Sequence, residues 1–184
     1  MKIYTKSGDK GKTSLFDGTR VDKSNGRIQS YGLVDETNSQ IGMLISLASN
    51  DNRLADIILL LYSVQEHLFI LGSDLANPSP PSDGFPRISN NEIEYLENNI
   101  DELEKDLDTL KSFILPGGTI QASQSHIVRT TIRRAETSMV NLYLKNEINE
   151  DAFIYINRLS DLFFVIARTF NKRLGKKDII WKTK

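Results

Sequence analysis

After Gly26, apolar residues recur at intervals of three and four along most of the chain, the spacing of one face of an α-helix. Between Arg27 and about Ser49, the residues Val34, Ile41, Leu44, Ile45 and Ala48 share such a face. From Leu54 to about Ala76 the pattern strengthens, through Leu54, Ile57, Ile58, Leu61, Val64, Leu68, Leu71 and Leu75. "NPSPPSDGFPR", residues 77–87, then breaks the periodicity with four prolines and reads as an exposed connector. Ser89 and Glu92 form a capping box, opening a third helix through Ile93, Leu96, Ile100, Leu103 and Leu107. "LPGG", residues 115–118, separates it from a fourth helix, and a fifth runs from about Asp151 to Leu174. Five long antiparallel helices with short connections predict an all-α helix bundle. The expected organisation is one domain over residues 1–184, with 1–26 an irregular N-terminal segment and 27–184 the bundle.

The polar N-terminal run "TKSGDKGKTSLFDG" invites a P-loop reading. The G-x-x-x-x-G-K-[ST] pattern wraps backbone N–H groups around phosphates, but it requires glycine where Lys6 stands, and Gly8 is too close to Gly11. A P-loop also joins a buried strand to a helix, whereas only Met1 to Tyr4 precede this run and more polar residues follow. Two glycines, the hydroxyls of Thr5, Ser7, Thr13 and Ser14, and Lys6, Lys10 and Lys12 remain. That composition suits an anion cradle built from backbone donors, and it equally suits a loose basic terminus.

Composition narrows the classes. A chain of 184 residues is one domain with room for a core, and a net charge of −1 argues against nucleic-acid binding through bulk positive charge. Cysteine is absent, which removes disulfides, thiolate metal sites and a cysteine nucleophile. With His67 and His126 as the only histidines, a histidine-rich metal site or a His-dependent hydrolase is disfavoured. No apolar run approaches a membrane span and the start lacks a signal-peptide core. The expectation is a cytoplasmic protein with neither nucleic acid nor membrane as partner.

At about 100° of rotation per residue, the fourth helix gathers His126, Arg129, Arg133 and Glu136 in one stripe, with Arg134 pointing elsewhere. Such a stripe is either a solvated face or part of a site. The fifth helix is apolar almost all round and should be buried, yet Asn157, Asp161 and Arg168 share a sector of about 40°. Buried there, they need partners in one another, in another chain or in a ligand. "FILPGG" reads both as a helix terminator and as a loop holding Phe113 against an aromatic or macrocyclic ligand.

Taken together, these segments resemble the PduO-type ATP:cob(I)alamin adenosyltransferases. "KIYTKSGDKGKTSLFDGTRVDK", "RIQSYGLVDETNSQIG", "FILPGG", "RTTIRRAE" and "YINRLSDLFFVIAR" are similar to that family's motifs, in the same order and over nearly the whole chain. The resemblance implies a homotrimeric five-helix bundle that binds ATP between subunits and transfers the 5′-deoxyadenosyl group to the cobalt of cob(I)alamin, releasing triphosphate. It assigns ATP to Thr5, Lys6, Ser7, Gly8, Thr13, Ser14 and Lys23 in the loop, to Arg133, Arg134, Ala135, Glu136 and Thr137 on the fourth helix, and to Asn157 on the fifth. Arg129 corresponds to an arginine that pairs across the subunit interface with Asp35, and Phe113 to an aromatic residue that favours loss of the lower axial ligand. Arg129, Arg133, Phe113 and Asp35 thus form the implied catalytic set. Mg²⁺ would accompany ATP, with no residue assigned as its ligand. A cobalamin reductase and an adenosylcobalamin-dependent acceptor enzyme are the implied partners. Because Co(I) is itself the nucleophile, the missing His–Asp pair and cysteine fit this chemistry. Asp17, where the family commonly has glycine, brings a carboxylate toward the phosphates. The competing reading is a regulatory or structural bundle that binds ATP without turnover.

Overall fold

The computed structural model describes residues 2–4, 6–79, 84–145 and 147–182. Five helices dominate it: α1 (Gly26–Ala48), α2 (Ala55–Ala76), α3 (Asn90–Glu104), α4 (Ile120–Leu144) and α5 (Glu150–Arg173). Their starts follow from capping, in which a side-chain oxygen satisfies an otherwise unpaired N–H of the first turn. Asn25 accepts from Arg27 N, Thr119 from Ala122 N and Asn149 from Asp151 N, while Ser89 and Glu92 complete the expected capping box. The third helix ends at Glu104 instead of reaching Leu107, which still packs half-buried against the core from the connector.

α4 lies between α1 and α5, with α2 against α1 and α3 against α5. On the far side, His67 of α2 meets Tyr95 of α3 and Tyr155 of α5 edge-on. Leu44, Leu61, Leu68, Ile132, Met139, Leu159, Phe163 and Phe170 are fully buried between them. α2 is more apolar than the residue run suggested: a window of 18 residues has mean hydropathy 1.6, enough to span a membrane by length and composition. Its apolar face instead lines the core, and Asp74 in its last turn is buried and paired with Arg87 at 2.6 Å.

The N-terminal segment is not wholly irregular. β1 (Lys12–Ser14) pairs antiparallel with β2 (Arg20–Asp22), Thr13 lying opposite Val21. In the turn between them, Gly18 takes φ +84°, a left-handed conformation that glycine adopts without steric cost. A second short ladder joins β3 (Ile114–Leu115) to β4 (Ile179–Ile180), drawing the C-terminal segment back onto the "FILPGG" connector.

Candidate functional site

At one end of the bundle the N-terminal loop folds over its own hairpin. Gly8 lies beneath Lys23, so closely that a Cβ there would sit 3.2 Å from Lys23 Nζ. Arg20 Nη2 donates to the Ser7 carbonyl at 2.9 Å and Nη1 to Ser14 Oγ at 3.3 Å. Arg20 escaped the sequence reading, because its position across from Ser14 appears only once the strand register is known. Ser7, Gly8, Ser14 and Lys23 are thus drawn together around Arg20 and the hairpin, Thr13 pairs within the strands, Lys6 lies beside Tyr4, and Thr5 lies outside the described residues. Asp17 does not intrude on it. Its carboxylate accepts from Thr19 N at 2.9 Å and Thr19 Oγ1 at 2.8 Å, bonds that hold its pKa below the usual carboxylate value. The loop is anchored to the bundle where Phe16 N donates to the Ala76 carbonyl at 3.0 Å. Buried Arg27 donates to the carbonyls of Leu75 and Glu147 nearby.

Midway along the bundle, Arg129, Arg133, Asp161 and Phe164 line a groove of about 350 Å³ between α3, α4 and α5. Burial, then the neighbouring Arg133, lower the Arg129 pKa from its ordinary value, and Arg129 Nε has no acceptor. Arg129 and Arg133 put two cations on the α4 wall, where guanidinium groups suit a phosphate, and Glu104 and Asp161 face the same groove from α3 and α5. Beside it, Asn157 Nδ2 donates to Glu136 Oε1 at 2.7 Å. The Thr137 hydroxyl is turned back to the Arg133 carbonyl at 2.9 Å. Arg134 points away, pairing with Glu36 of α1 at 2.5 Å. Ala135 packs in the core with 0% exposure, so its side chain does not face the groove.

The expectation of a buried polar line on α5 is corrected. Asn157 and Asp161 are exposed, because α3 and α4 flank α5 and leave a seam open between them. Asp161 accepts from Arg158 at 3.1 Å. Only Arg168 is buried, and it is satisfied by Asp178 and by the Asp108 carbonyl. His126, placed by periodicity on a polar stripe, is 4% exposed, with its ring against Phe164 and neither nitrogen hydrogen-bonded.

The opposite end of the bundle is aromatic. Phe113 is 79% exposed and meets the Trp181 ring edge-on at 6.2 Å, while Trp181 N donates to the Phe113 carbonyl at 2.8 Å. With Leu110, Ile114 and Phe164 they line a cavity of about 660 Å³. Phe164 also lines the arginine groove, so one ring borders both openings. A buried clamp holds this end together. Asp178 accepts from Arg168 Nε and from Asn171 Nδ2, each at 3.0 Å. Asn171 also donates to the Gly117 carbonyl at 3.0 Å and accepts from Thr119 N at 2.9 Å.

Asp35 is exposed on α1 and lines a different groove, of about 330 Å³, with Phe16, Tyr31 and Phe69. Among the described residues it forms no ion pair with Arg129, which belongs to the α3–α4–α5 groove.

The sequence profile of the cobalamin adenosyltransferases matches residues 3–170. The chain belongs to this family. A corrinoid adenosyltransferase of Bacillus subtilis is 43% identical over 97% of this chain and 91% of its own length. A cobalamin adenosyltransferase of Cupriavidus metallidurans is 40% identical over 98% and 94%, respectively. Among solved structures, a variant PduO-type ATP:corrinoid adenosyltransferase from Lactobacillus reuteri, complexed with cobalamin and ATP, superposes with a TM-score of 0.91. It is 38% identical, covering 99% of this chain and 100% of that one.

For a cobalamin adenosyltransferase, the matched span leaves part of the aromatic end unread. It stops at Phe170, before Asn171, Asp178 and Trp181. These three were missed by sequence reasoning, and the nearest signal was the apolar run Ile179, Ile180, Trp181 following Asp178.

Proposed function

We propose that the protein transfers the 5′-deoxyadenosyl group of ATP to cob(I)alamin at a site completed between neighbouring subunits of a homotrimer. The observation that carries the reading is Phe164, which forms a wall of both the arginine groove and the aromatic cavity. A polyphosphate surface and a macrocycle surface thereby adjoin across one side chain. A bundle that merely held ATP would have no use for the second surface.

The chemistry asks little of the protein in proton transfer. The electron pair of cobalt(I) forms the bond to C5′ of ATP, the C5′–O bond breaks, and triphosphate leaves with the pair of that broken bond. The protein positions C5′ in line with the metal and stabilises the charge developing on the leaving group. Arg133 and Arg129 supply that positive potential from α4, and Lys6, Lys10 and Lys23 supply it from the loop. Glu136 holds one side of the Asn157 amide and leaves its Oδ1 to accept from the nucleoside. Phe113 and Trp181 offer aromatic faces to the corrin ring. Among the described residues no cluster of three His, Asp or Glu side chains could hold a metal. Mg²⁺ therefore fits only as a companion of the nucleotide, coordinated chiefly by phosphate oxygens and water.

The trimer is supported by the separation of Asp35 and the loop from Arg129 and Arg133 within one chain. A head-to-tail contact that closes as a ring brings such unlike faces together. A reductase that generates Co(I) and an adenosylcobalamin-dependent enzyme that consumes the product are the corresponding partners. A cysteine-free chain suits the reducing cytoplasm.

Subunit mixing tests the shared site. A Lys23→Ala chain and an Arg133→Ala chain, each impaired alone, should regain activity when reassembled together, since about one interface in four is then intact. No recovery in verified mixed trimers would place loop and arginines in one subunit and overturn the arrangement.

A further inference from the structure

Beside the aromatic cavity lies a second opening of about 680 Å³, between the 107–112 connector, the end of α5 and residues 175–180. The two share Leu110, Lys111 and Ser112 in their linings, so they lie side by side along the 110–112 connector. We infer that this opening receives the nucleotide tail of the corrinoid, its aromatic base and phosphodiester, once the base has left cobalt. The inference rests on the adenosyltransferase reading above.

The lining is of two kinds. Leu107, Leu110 and Ile180 give it an apolar side, and Lys111, Lys172, Lys176 and Lys177 give it a cationic rim. The acidic residues there are already engaged. Both Asp178 oxygens accept hydrogen bonds from Arg168 and Asn171, and Asp108 lies 3.6 Å from Lys172. Lys111, Lys176 and Lys177 form no ion pair among the described residues. The opening therefore presents uncommitted positive charge beside an apolar wall, the combination that binds an anionic aromatic ligand.

The substrate has a group of this chemistry to place. Four-coordinate cobalt(I) carries no lower axial base, so the benzimidazole, ribose and phosphodiester of cobalamin hang from the macrocycle untethered to the metal. The apolar wall fits the base and the lysines fit the single phosphodiester charge. Holding the tail here keeps the base from returning to the lower face beside Phe113. The triphosphate leaving group is served separately by Arg129 and Arg133, in the groove that Phe164 also lines.

Trp181 is the only tryptophan and lines the cavity, so corrin binding is read directly from its quenching. Reduced cobalamin and reduced cobinamide, which lacks the nucleotide tail, are titrated anaerobically into the trimer without ATP. Cobalamin should bind more tightly, and its advantage should shrink as salt rises from about 50 to 500 mM. Lys176→Glu combined with Lys177→Glu should weaken cobalamin by about fivefold or more and leave cobinamide unchanged. Equal affinity of the unsubstituted protein for both corrinoids at every salt concentration would overturn the tail site. So would a double variant that still prefers cobalamin as strongly as the parent. A transfer assay run alongside separates the two levels. Adenosylation of both corrinoids without a lysine-dependent difference removes the tail site alone, whereas adenosylation of neither removes the enzyme reading with it.

Discussion

Arg168 on α5 donates Nε to Asp178 Oδ2 at 3.0 Å, joining the last helix of the bundle to the segment that carries β4 and Trp181. Arg168 is only 7% exposed, so removing the carboxylate leaves a cation with little water to replace it. Asp178→Ala should lower unfolding free energy by about 3 kcal/mol and shift Trp181 emission toward that of an exposed indole. An unchanged urea midpoint and emission would show that the C-terminal segment is held by the β3–β4 ladder alone.

Gly118 bears on the same clamp. It takes φ +118°, and a Cβ there would lie 2.1 Å from Asn171 Oδ1. Gly118→Ala should therefore expel the Asn171 amide from its place between Gly117 and Thr119, beyond the roughly 1 to 3 kcal/mol that the backbone conformation costs by itself. The check is thermal unfolding beside Gly84→Ala, at another positive-φ glycine but with open space around it. Equal losses in the two variants would rule out the overlap with Asn171.

The helices were legible in the sequence because each signal is local. The stripe from Leu54 to Leu75 and the Ser89–Glu92 box need no knowledge of the rest of the fold. The hairpins were not legible, since strands of two or three residues are too short for alternation to declare itself. Rotation arithmetic put Asn157, Asp161 and Arg168 on one side of α5, but it could not say that the helix neighbours cover Arg168 and leave the other two open. Asp17 was expected to trouble the phosphate surface; a bond to Thr19, set by the hairpin turn, determines its direction instead. A pairing of Asp35 with Arg129 has no signature in a single chain, because they line different grooves.

If the proposed nucleotide site is right, Arg133→Ala and Asn157→Ala should each reduce kcat/KM for ATP by an amount equivalent to roughly 1 to 3 kcal/mol per lost contact. Both side chains are exposed, so neither change should alter the fold. Glu136→Ala should act in the same direction as Asn157→Ala, and the double variant should be no worse than the Asn157 change alone. Full additivity would mean that Glu136 binds ATP independently of Asn157.

His126 gives the fold a pH dependence. Burial, reinforced by the Arg129 charge and opposed by Asp178, holds its pKa below the ordinary 6.5. The unfolded chain therefore binds a proton more readily than the folded one. The resulting stability is complete above the unfolded value and is lost as pH falls below it. His67 is shifted the same way by burial, against Glu92 and Glu66, so part of the decline belongs to it. Urea midpoints measured from about pH 7.5 to 5 should fall less steeply in His126→Leu than in the unsubstituted protein. Parallel curves would mean that His126 is protonated equally in both states.

The central claim, that the two surfaces bordered by Phe164 bring cobalt(I) to C5′ of ATP, is met most directly by a single-turnover experiment. Under anaerobic conditions the protein is mixed with ATP, Mg²⁺ and chemically reduced cobalamin, and the cobalt–carbon product and the inorganic product are counted together. One adenosylcobalamin should form for each triphosphate released, and Arg133→Ala should slow both products together by the factor its loss in kcat/KM implies. Bound ATP that persists without a cobalt–carbon bond, under reductant sufficient to keep cobalt(I) present, would contradict the account.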